Sequence, residues 1–176
     1  MPAPAAAAAA VGDASGSAPP QAATAAIRPF HLAVPVRDVD EARAFYGGLL
    51  GFPEGRSAAT WVDFNAYGSQ LVAHRVAGFS ATSHQNAVDG DAVPVPHFGA
   101  ALSVDEFHAL AERLKAGGGD GERRFEIKFE IEPHVRFAGQ PGEQWTMFFR
   151  DPSGNALEFK AMTNPENLFA KYRVES

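Results

Sequence analysis

Met147-Phe148-Phe149-Arg150-Asp151-Pro152-Ser153-Gly154-Asn155-Ala156-Leu157-Glu158-Phe159 decides how this chain is read. Two aromatic residues lead into Asp151-Pro152-Ser153-Gly154. That tetrad suits a type I turn, with Asp first, Pro pre-set at the second position and Gly at the fourth. Asn155 to Lys160 then reads as a returning strand, so the stretch predicts a β-hairpin. Glu158 falls mid-strand between Leu157 and Phe159, whose side chains point to the opposite face. A carboxylate on a core strand is costly to bury alone, and a cation, above all a metal ion, offsets that cost. The plain alternative is an edge strand with Glu158 in water.

Working outward, the chain repeats one pattern twice. Phe30-His31-Leu32-Ala33-Val34-Pro35-Val36 reads as a strand followed by Val39-Asp40-Glu41. Pro96-His97-Phe98-Gly99-Ala100-Ala101-Leu102 reads as a strand followed by Val104-Asp105-Glu106. A helix follows each. Val39, Ala42, Phe45, Tyr46 and Leu49 form one apolar stripe, and Val104, Phe107, Leu110, Ala111 and Leu114 form the other. Asp38 and Ser103 are the expected N-caps, with Glu41 and Glu106 completing capping boxes. Gly47-Gly48 and Gly51, then Gly117 to Gly119, are expected to end the helices. Strands are expected at Glu54 to Ser57, Trp61 to Phe64 and Gln70 to Val76, turning at Tyr67-Gly68. Their counterparts are Phe129 to Glu132, Trp145 to Phe149 and Asn155 to Lys160. The predicted fold class is α+β: two paired β-α-β-β-β modules, residues 28–78 and 94–162, forming a curled sheet around a metal-binding cavity. Across the pseudo-twofold axis, His31, His97 and Glu158 are expected to meet at one point.

The chain has 176 residues, 45% of them hydrophobic, enough for one domain with a real core. No apolar run approaches the ~20 residues of a membrane span. There are no cysteines, so disulfides, thiolate metal sites and cysteine nucleophiles are excluded, and any metal falls to His, Asp or Glu. A net charge of −6 without a basic run argues against a nucleic-acid partner. Residues 1–27 read as a disordered Ala-rich tail, with an organelle presequence as the alternative to a cytoplasmic protein. Residues 28–170 read as one domain. Residues 163–176 read as a C-terminal helix and tail, opened by Asn164-Pro165-Glu166, with Leu168 and Phe169 packing back.

Two histidines and a carboxylate from three strands have the composition of a facial triad, which leaves positions open on Fe(II), or on Mn, Ni or Zn. Here the chain resembles the vicinal oxygen chelate superfamily, which includes glyoxalase I, type I extradiol dioxygenases and bleomycin-resistance proteins. The resemblance runs from about Pro29 to Ala170. It rests on Pro29 to Val36, Gly68-Ser69-Gln70-Leu71-Val72-Ala73-His74, Val93-Pro94-Val95-Pro96-His97-Phe98-Gly99, Gly139-Gln140-Pro141-Gly142-Glu143-Gln144 and Asp151 to Lys160. Within the superfamily it looks closest to predicted extradiol-type dioxygenases.

The resemblance implies metal ligands at His31, His97 and Glu158. Glyoxalase I adds a fourth, Glu or Gln, on the last strand of the first module. Aligning Gly68 with Gly154 sets Val72, which cannot bind metal, opposite Glu158. Gln70 lies two residues away on the same face, so a register shift or β-bulge makes it the alternative fourth ligand. His74, on the face of Gln70, is a candidate acid/base residue or a rim histidine. His134 is a candidate for the pocket mouth. Arg136 and Gln144 are candidates to bind an anionic or carbonyl substrate, or to tie down a loop. Trp61, Phe64 and Phe148 are candidates for a dry pocket wall. Phe148 stands where extradiol enzymes commonly carry tyrosine, a departure that removes an acid/base group. His108 is expected in solvent on its helix, His84 in a polar loop, and Gly117 to Arg124 in an exposed insertion.

The resulting expectation is an enzyme carrying a divalent metal, Fe(II) in the dioxygenase reading. Its substrate is a small molecule chelated through two neighbouring oxygens, and the protein is a homodimer. The alternatives are a glyoxalase I-like isomerase, with Gln70 as a ligand, and a metal-free binding protein of the bleomycin-resistance type.

Overall fold

The structure, a computed structural model, describes residues 27–172. The expected tail lies outside them, apart from its last residue. Module one begins with β1 (His31–Val36) and a helical segment that starts as α1 (Val39–Ala42) and continues as a π-helical turn, Arg43–Leu49. It ends with β2 (Glu54–Ala58), β3 (Trp61–Ala66) and β4 (Ser69–Arg75). A hairpin of β5 (His84–Val88) and β6 (Asp91–Val95) comes next. Module two begins with β7 (His97–Ala101) and α2 (Val104–Ala116). The short strands β8 (Gly118–Gly119) and β9 (Arg124–Phe125) precede β10 (Phe129–Arg136), β11 (Gln144–Arg150) and β12 (Ala156–Met162). One sheet runs β1-β4-β3-β2 and the other β10-β11-β12-β7, neither closing into a barrel. The repeat therefore holds: each module is β-α-β-β-β, with its first strand parallel to its last.

The caps follow the sequence. The Asp38 carboxylate accepts the Glu41 amide at 2.7 Å, and Ser103 with Glu106 closes a reciprocal capping box. Glu41 does not reciprocate, because Arg37 takes its carboxylate through two 2.7 Å hydrogen bonds. Gly47 and Gly48 lie inside the π-helical turn instead of ending it; the segment stops at Gly51, whose φ is +76°. A Cβ on Gly48 would come within 2.6 Å of the Gly119 backbone, so the predicted loop insertion is docked against this turn. At the other end, Asn164 caps the 3-10 turn Pro165–Phe169, but Phe169 stays 91% exposed and does not pack back.

Both sheets turn one face into a single shared core. From the first sheet come Val34, Val62, Phe64, Leu71 and Ala73; from the second, Met147, Phe149, Leu157, Phe159 and Ala161. The helical segments fill the space between them with Phe45, Tyr46, Leu49, Phe107, Leu110 and Leu114. Strand alternation then puts His31, Gln70, Val72 and His74 on the reverse face of sheet one, and Thr146, Phe148 and Glu158 on the reverse face of sheet two. The predicted turn is present: the Gly154 amide donates to the Asp151 carbonyl at 2.9 Å. The buried Tyr46 hydroxyl donates to the Asp151 carboxylate at 2.7 Å, joining module one to this turn.

The β5–β6 hairpin occupies a stretch whose polar residues suggest a loop, although its turn carries a signal. Its turn residues, Asp89 (φ +49°) and Gly90 (φ +86°), are both left-handed. A two-residue Asp-Gly turn is a strong hairpin signal. Val93 and the partly buried Val88 pack on Ile131 and Phe148, so the hairpin covers part of the second sheet's reverse face.

Candidate metal centre

Glu158 is 9% exposed, as its position between Leu157 and Phe159 predicts. Thr146, on the neighbouring strand, donates its hydroxyl to Oε1 at 2.9 Å. That leaves Oε2 facing His97 Nε2 at 3.2 Å. The other nitrogen of His97, Nδ1, lies 2.6 Å from the Pro94 carbonyl. A carbonyl only accepts, so Nδ1 carries a proton and Nε2 faces the carboxylate. The Glu158 hydrogen bond holds His97 above its ordinary pKa. Burial pushes Glu158 up, but the His97 hydrogen bond, Lys160 and Thr146 outweigh it and leave the carboxyl below its ordinary value.

This pair fits a divalent ion. Two ligands each ~2.0–2.2 Å from one metal and adjacent in its coordination shell stand roughly 3.0–3.4 Å apart. The observed separation lies in that range. Below the raised His97 pKa, a proton on Nε2 occupies the place such an ion would take.

The third expected ligand is elsewhere. Among the described residues no group of three or more His, Asp or Glu side chains is placed to hold a metal. The expectation that His31, His97 and Glu158 meet is therefore not met within one chain. The reason is the packing: the two sheets share their apolar faces, which turns both histidine faces away from that core. His31 forms a half-site of its own, with Nδ1 2.7 Å from Gln70 Oε1. The ladders place Gln70 opposite His31 and Ala156 opposite His97. Val72 and Glu158, each two residues further on, are thus equivalent, which is the match that aligning Gly68 with Gly154 gives.

The other candidates separate cleanly. Phe148 is fully buried with its ring 5.2 Å from that of His97, so it walls this half-site. Gln144 is buried two residues from Thr146 on the same face. Trp61 lies on the His31 face, under Arg56 at 5.8 Å. His74, exposed, lies 6.4 Å from Trp61 and four residues beyond Gln70, roughly 13 Å along the strand. That is a rim position. The Phe64 ring does not face the His31 side of the sheet: it is buried on the core face, 5.5 Å from Tyr46. Arg136 is held by Asp91 at 2.6 Å, so it ties down the β5–β6 hairpin instead of facing a substrate. His134 has both nitrogens engaged, by the Glu132 carbonyl at 2.8 Å and by Asp91 at 3.1 Å. His84 lies exposed in β5 and His108 exposed on α2, its ring 4.6 Å from Trp145.

The residue that sequence reading missed is Asp63, only 5% exposed and on the His31 face. The signal was available: like Glu158, it is a carboxylate between two apolar residues of a core strand.

A model of the glyoxalase/bleomycin resistance protein/dioxygenase superfamily matches residues 28–159. A glyoxalase/bleomycin resistance protein/dioxygenase from Alicyclobacillus acidocaldarius is 30% identical, with TM-score 0.64, covering 81% of this chain and 96% of that one. An E126Q mutant of the fosfomycin resistance protein of Listeria monocytogenes, complexed with Mn(II) and 1S,2S-dihydroxypropylphosphonic acid, is 18% identical, with TM-score 0.54, covering 79% and 93%. A lactoylglutathione lyase from Agrobacterium tumefaciens is 22% identical, with TM-score 0.53, covering 87% and 100%. Curated proteins yield no match. No helix among the described residues is long and apolar enough to cross a membrane.

Proposed function

This chain belongs to the glyoxalase/bleomycin resistance protein/dioxygenase superfamily, and on that premise we propose that it is a metal-dependent enzyme whose centre is completed between two copies. His97 and Glu158 of one chain supply two ligands, and His31 of a second copy supplies the third. The observation that carries this reading is the 3.2 Å approach of His97 Nε2 to Glu158 Oε2, with the remaining atoms of both side chains already engaged.

Three protein donors leave coordination positions free for two neighbouring oxygens of a small substrate. The ion, Fe(II) in the extradiol-type dioxygenase reading, would supply Lewis acidity toward those oxygens and electron exchange with dioxygen. The chain does the positioning. Thr146 fixes the carboxylate, and Pro94 fixes the His97 ring. Phe148, backed by Ile131 and Val93, keeps that side of the site apolar and excludes water. Asp91, through Arg136, holds the hairpin that forms this wall.

The isomerase alternative needs Gln70 as a fourth ligand. Its amide oxygen would have to leave His31 Nδ1, so the three-ligand reading takes precedence. The test is an anaerobic preparation with metal quantified, then assayed for oxygen uptake with catechols and for isomerisation of 2-oxoaldehyde hemithioacetals. Metal bound in stoichiometric amount with substrate-dependent oxygen uptake is expected. Isomerisation without oxygen uptake overturns the dioxygenase reading, and a protein that takes up no divalent metal overturns the centre itself.

A further inference from the structure

We propose that Asp63 fixes the proton on His31 through the Gln70 side-chain amide, making Asp63 and Gln70 positioning residues for the metal-binding nitrogen of His31. The link to metal rests on the centre proposed above; the proton placement does not.

The argument starts at the buried end. Asp63 Oδ2 lies 3.1 Å from Arg56 Nε and 3.0 Å from its terminal nitrogen. The same oxygen accepts from Gln70 Nε2 at 2.9 Å. A carboxylate has no proton to donate, so only the NH2 group of Gln70 can face it. The amide orientation is thereby fixed, and Gln70 Oε1 must face His31, where it lies 2.7 Å from Nδ1. An amide oxygen only accepts, so the proton of the neutral imidazole sits on Nδ1. Nε2 is left with a bare lone pair, the form a metal requires.

The reverse orientation fails at both ends. It would set two oxygens 2.9 Å apart at Asp63 and aim an N–H at His31 Nδ1. The imidazole proton would then move to Nε2 and block it. Module two holds the Nδ1 proton by another device, since His97 Nδ1–H donates to the Pro94 carbonyl. A backbone carbonyl cannot rotate. A glutamine amide can, and Asp63 supplies what the backbone supplies in the other module. This also accounts for a carboxylate flanked by Val62 and Phe64, where a buried charge is otherwise costly.

The test uses the full-length metal-free protein with 15N-labelled histidine. The His31 tautomer is read by NMR at a pH where the ring is neutral, and Mn(II) and Zn(II) affinities by calorimetry. Wild type is expected to show the Nδ1–H form. Asp63→Leu and Gln70→Leu should move His31 toward the Nε2–H form and weaken metal binding by about 10–100-fold. Gln70→Glu combined with Asp63→Asn should keep the Nδ1–H form, because a carboxylate at position 70 can only accept. That variant keeps the test decisive if either leucine variant fails to fold. An Nε2–H form in wild type, or a tautomer unmoved in the leucine variants, overturns the proposal. A shifted tautomer with unchanged metal affinity upholds the proton placement and overturns the assignment of His31 as a ligand.

Discussion

Gly99 and Glu158 face each other across the parallel pairing of β7 with β12, so closely that a Cβ on Gly99 would overlap the Glu158 carbonyl oxygen. The contact is with backbone, so no side-chain rotation relieves it. Any residue but glycine must push the two strands apart, and those strands carry His97 and Glu158. Gly99→Ala is expected to cost about 3 kcal/mol or more, at the upper end of overpacking effects. It should also reduce metal uptake. Urea denaturation with a parallel metal assay checks both; wild-type stability would show that the strands tolerate separation.

The fold was legible because each module states its own structure locally. Caps at Asp38 and Ser103, two apolar stripes, and turns at Tyr67-Gly68 and Asp151 to Gly154 are all short-range signals. Alternation set Glu158 on the face opposite Leu157 and Phe159, and its burial there depends on the neighbouring strands. What the repeat does not encode is which faces the two modules share. His31 and His97 are equivalent in both copies whether the sheets meet through their histidine faces or their apolar faces. Only the packing of Phe45, Tyr46, Phe149 and Phe159 decides that, and it is a long-range outcome. For Arg136, the choice between a substrate and a loop also needs a long-range partner. Its partner Asp91 lies 45 residues away, on the β5–β6 hairpin.

Tyr46 and Asp151 tie the modules together through one buried hydrogen bond of 2.7 Å. Burial, then the Asp151 charge, raises the phenol well above its ordinary pKa, so the hydroxyl stays protonated and donates. Tyr46→Phe removes the donor and leaves Asp151 held by the Asn155 amide and side chain. A loss of about 1–3 kcal/mol in urea denaturation is expected, with metal content unchanged. No change in the denaturation midpoint would mean that Asn155 alone satisfies the carboxylate.

The His97–Glu158 pair predicts opposite pH trends for the empty and loaded protein. His97 is raised from its ordinary 6.5, so its contribution is fully present below pH 6.5 and is lost as pH rises through the raised value. Glu158 is lowered from 4.5, so its contribution is present above pH 4.5 and is lost as pH falls through the lowered value. The metal-free chain therefore draws most from the pair between these limits. Metal must expel the His97 proton, so apparent affinity should fall about tenfold per pH unit below the raised His97 value. Melting temperatures with and without Zn(II), at about pH 6 and about pH 8, test this. An equal metal-induced shift at both would show that His97 is not the group displaced.

The last prediction concerns where the third ligand comes from. His31→Ala and His97→Ala are each expected to fold and to lose bound metal, because both residues sit on sheet faces away from the core. If the centre forms within a chain, mixing the two variants restores nothing, since every chain lacks a ligand. If it forms between copies, a mixed dimer behaves differently. Its His31→Ala chain still offers His97 and Glu158, and its His97→Ala chain still offers His31. One of the two centres in that dimer is then complete, and the other lacks both histidines. For a twofold-symmetric dimer with random exchange, half of the dimers are mixed, so about a quarter of all centres recover. The two variants are unfolded together, refolded at equal concentration and dialysed against Mn(II), and bound metal is compared with each variant refolded alone. Recovery near one quarter supports the shared centre. Recovery at the level of the single variants returns His31 to its own chain and removes the reason to place the centre between copies.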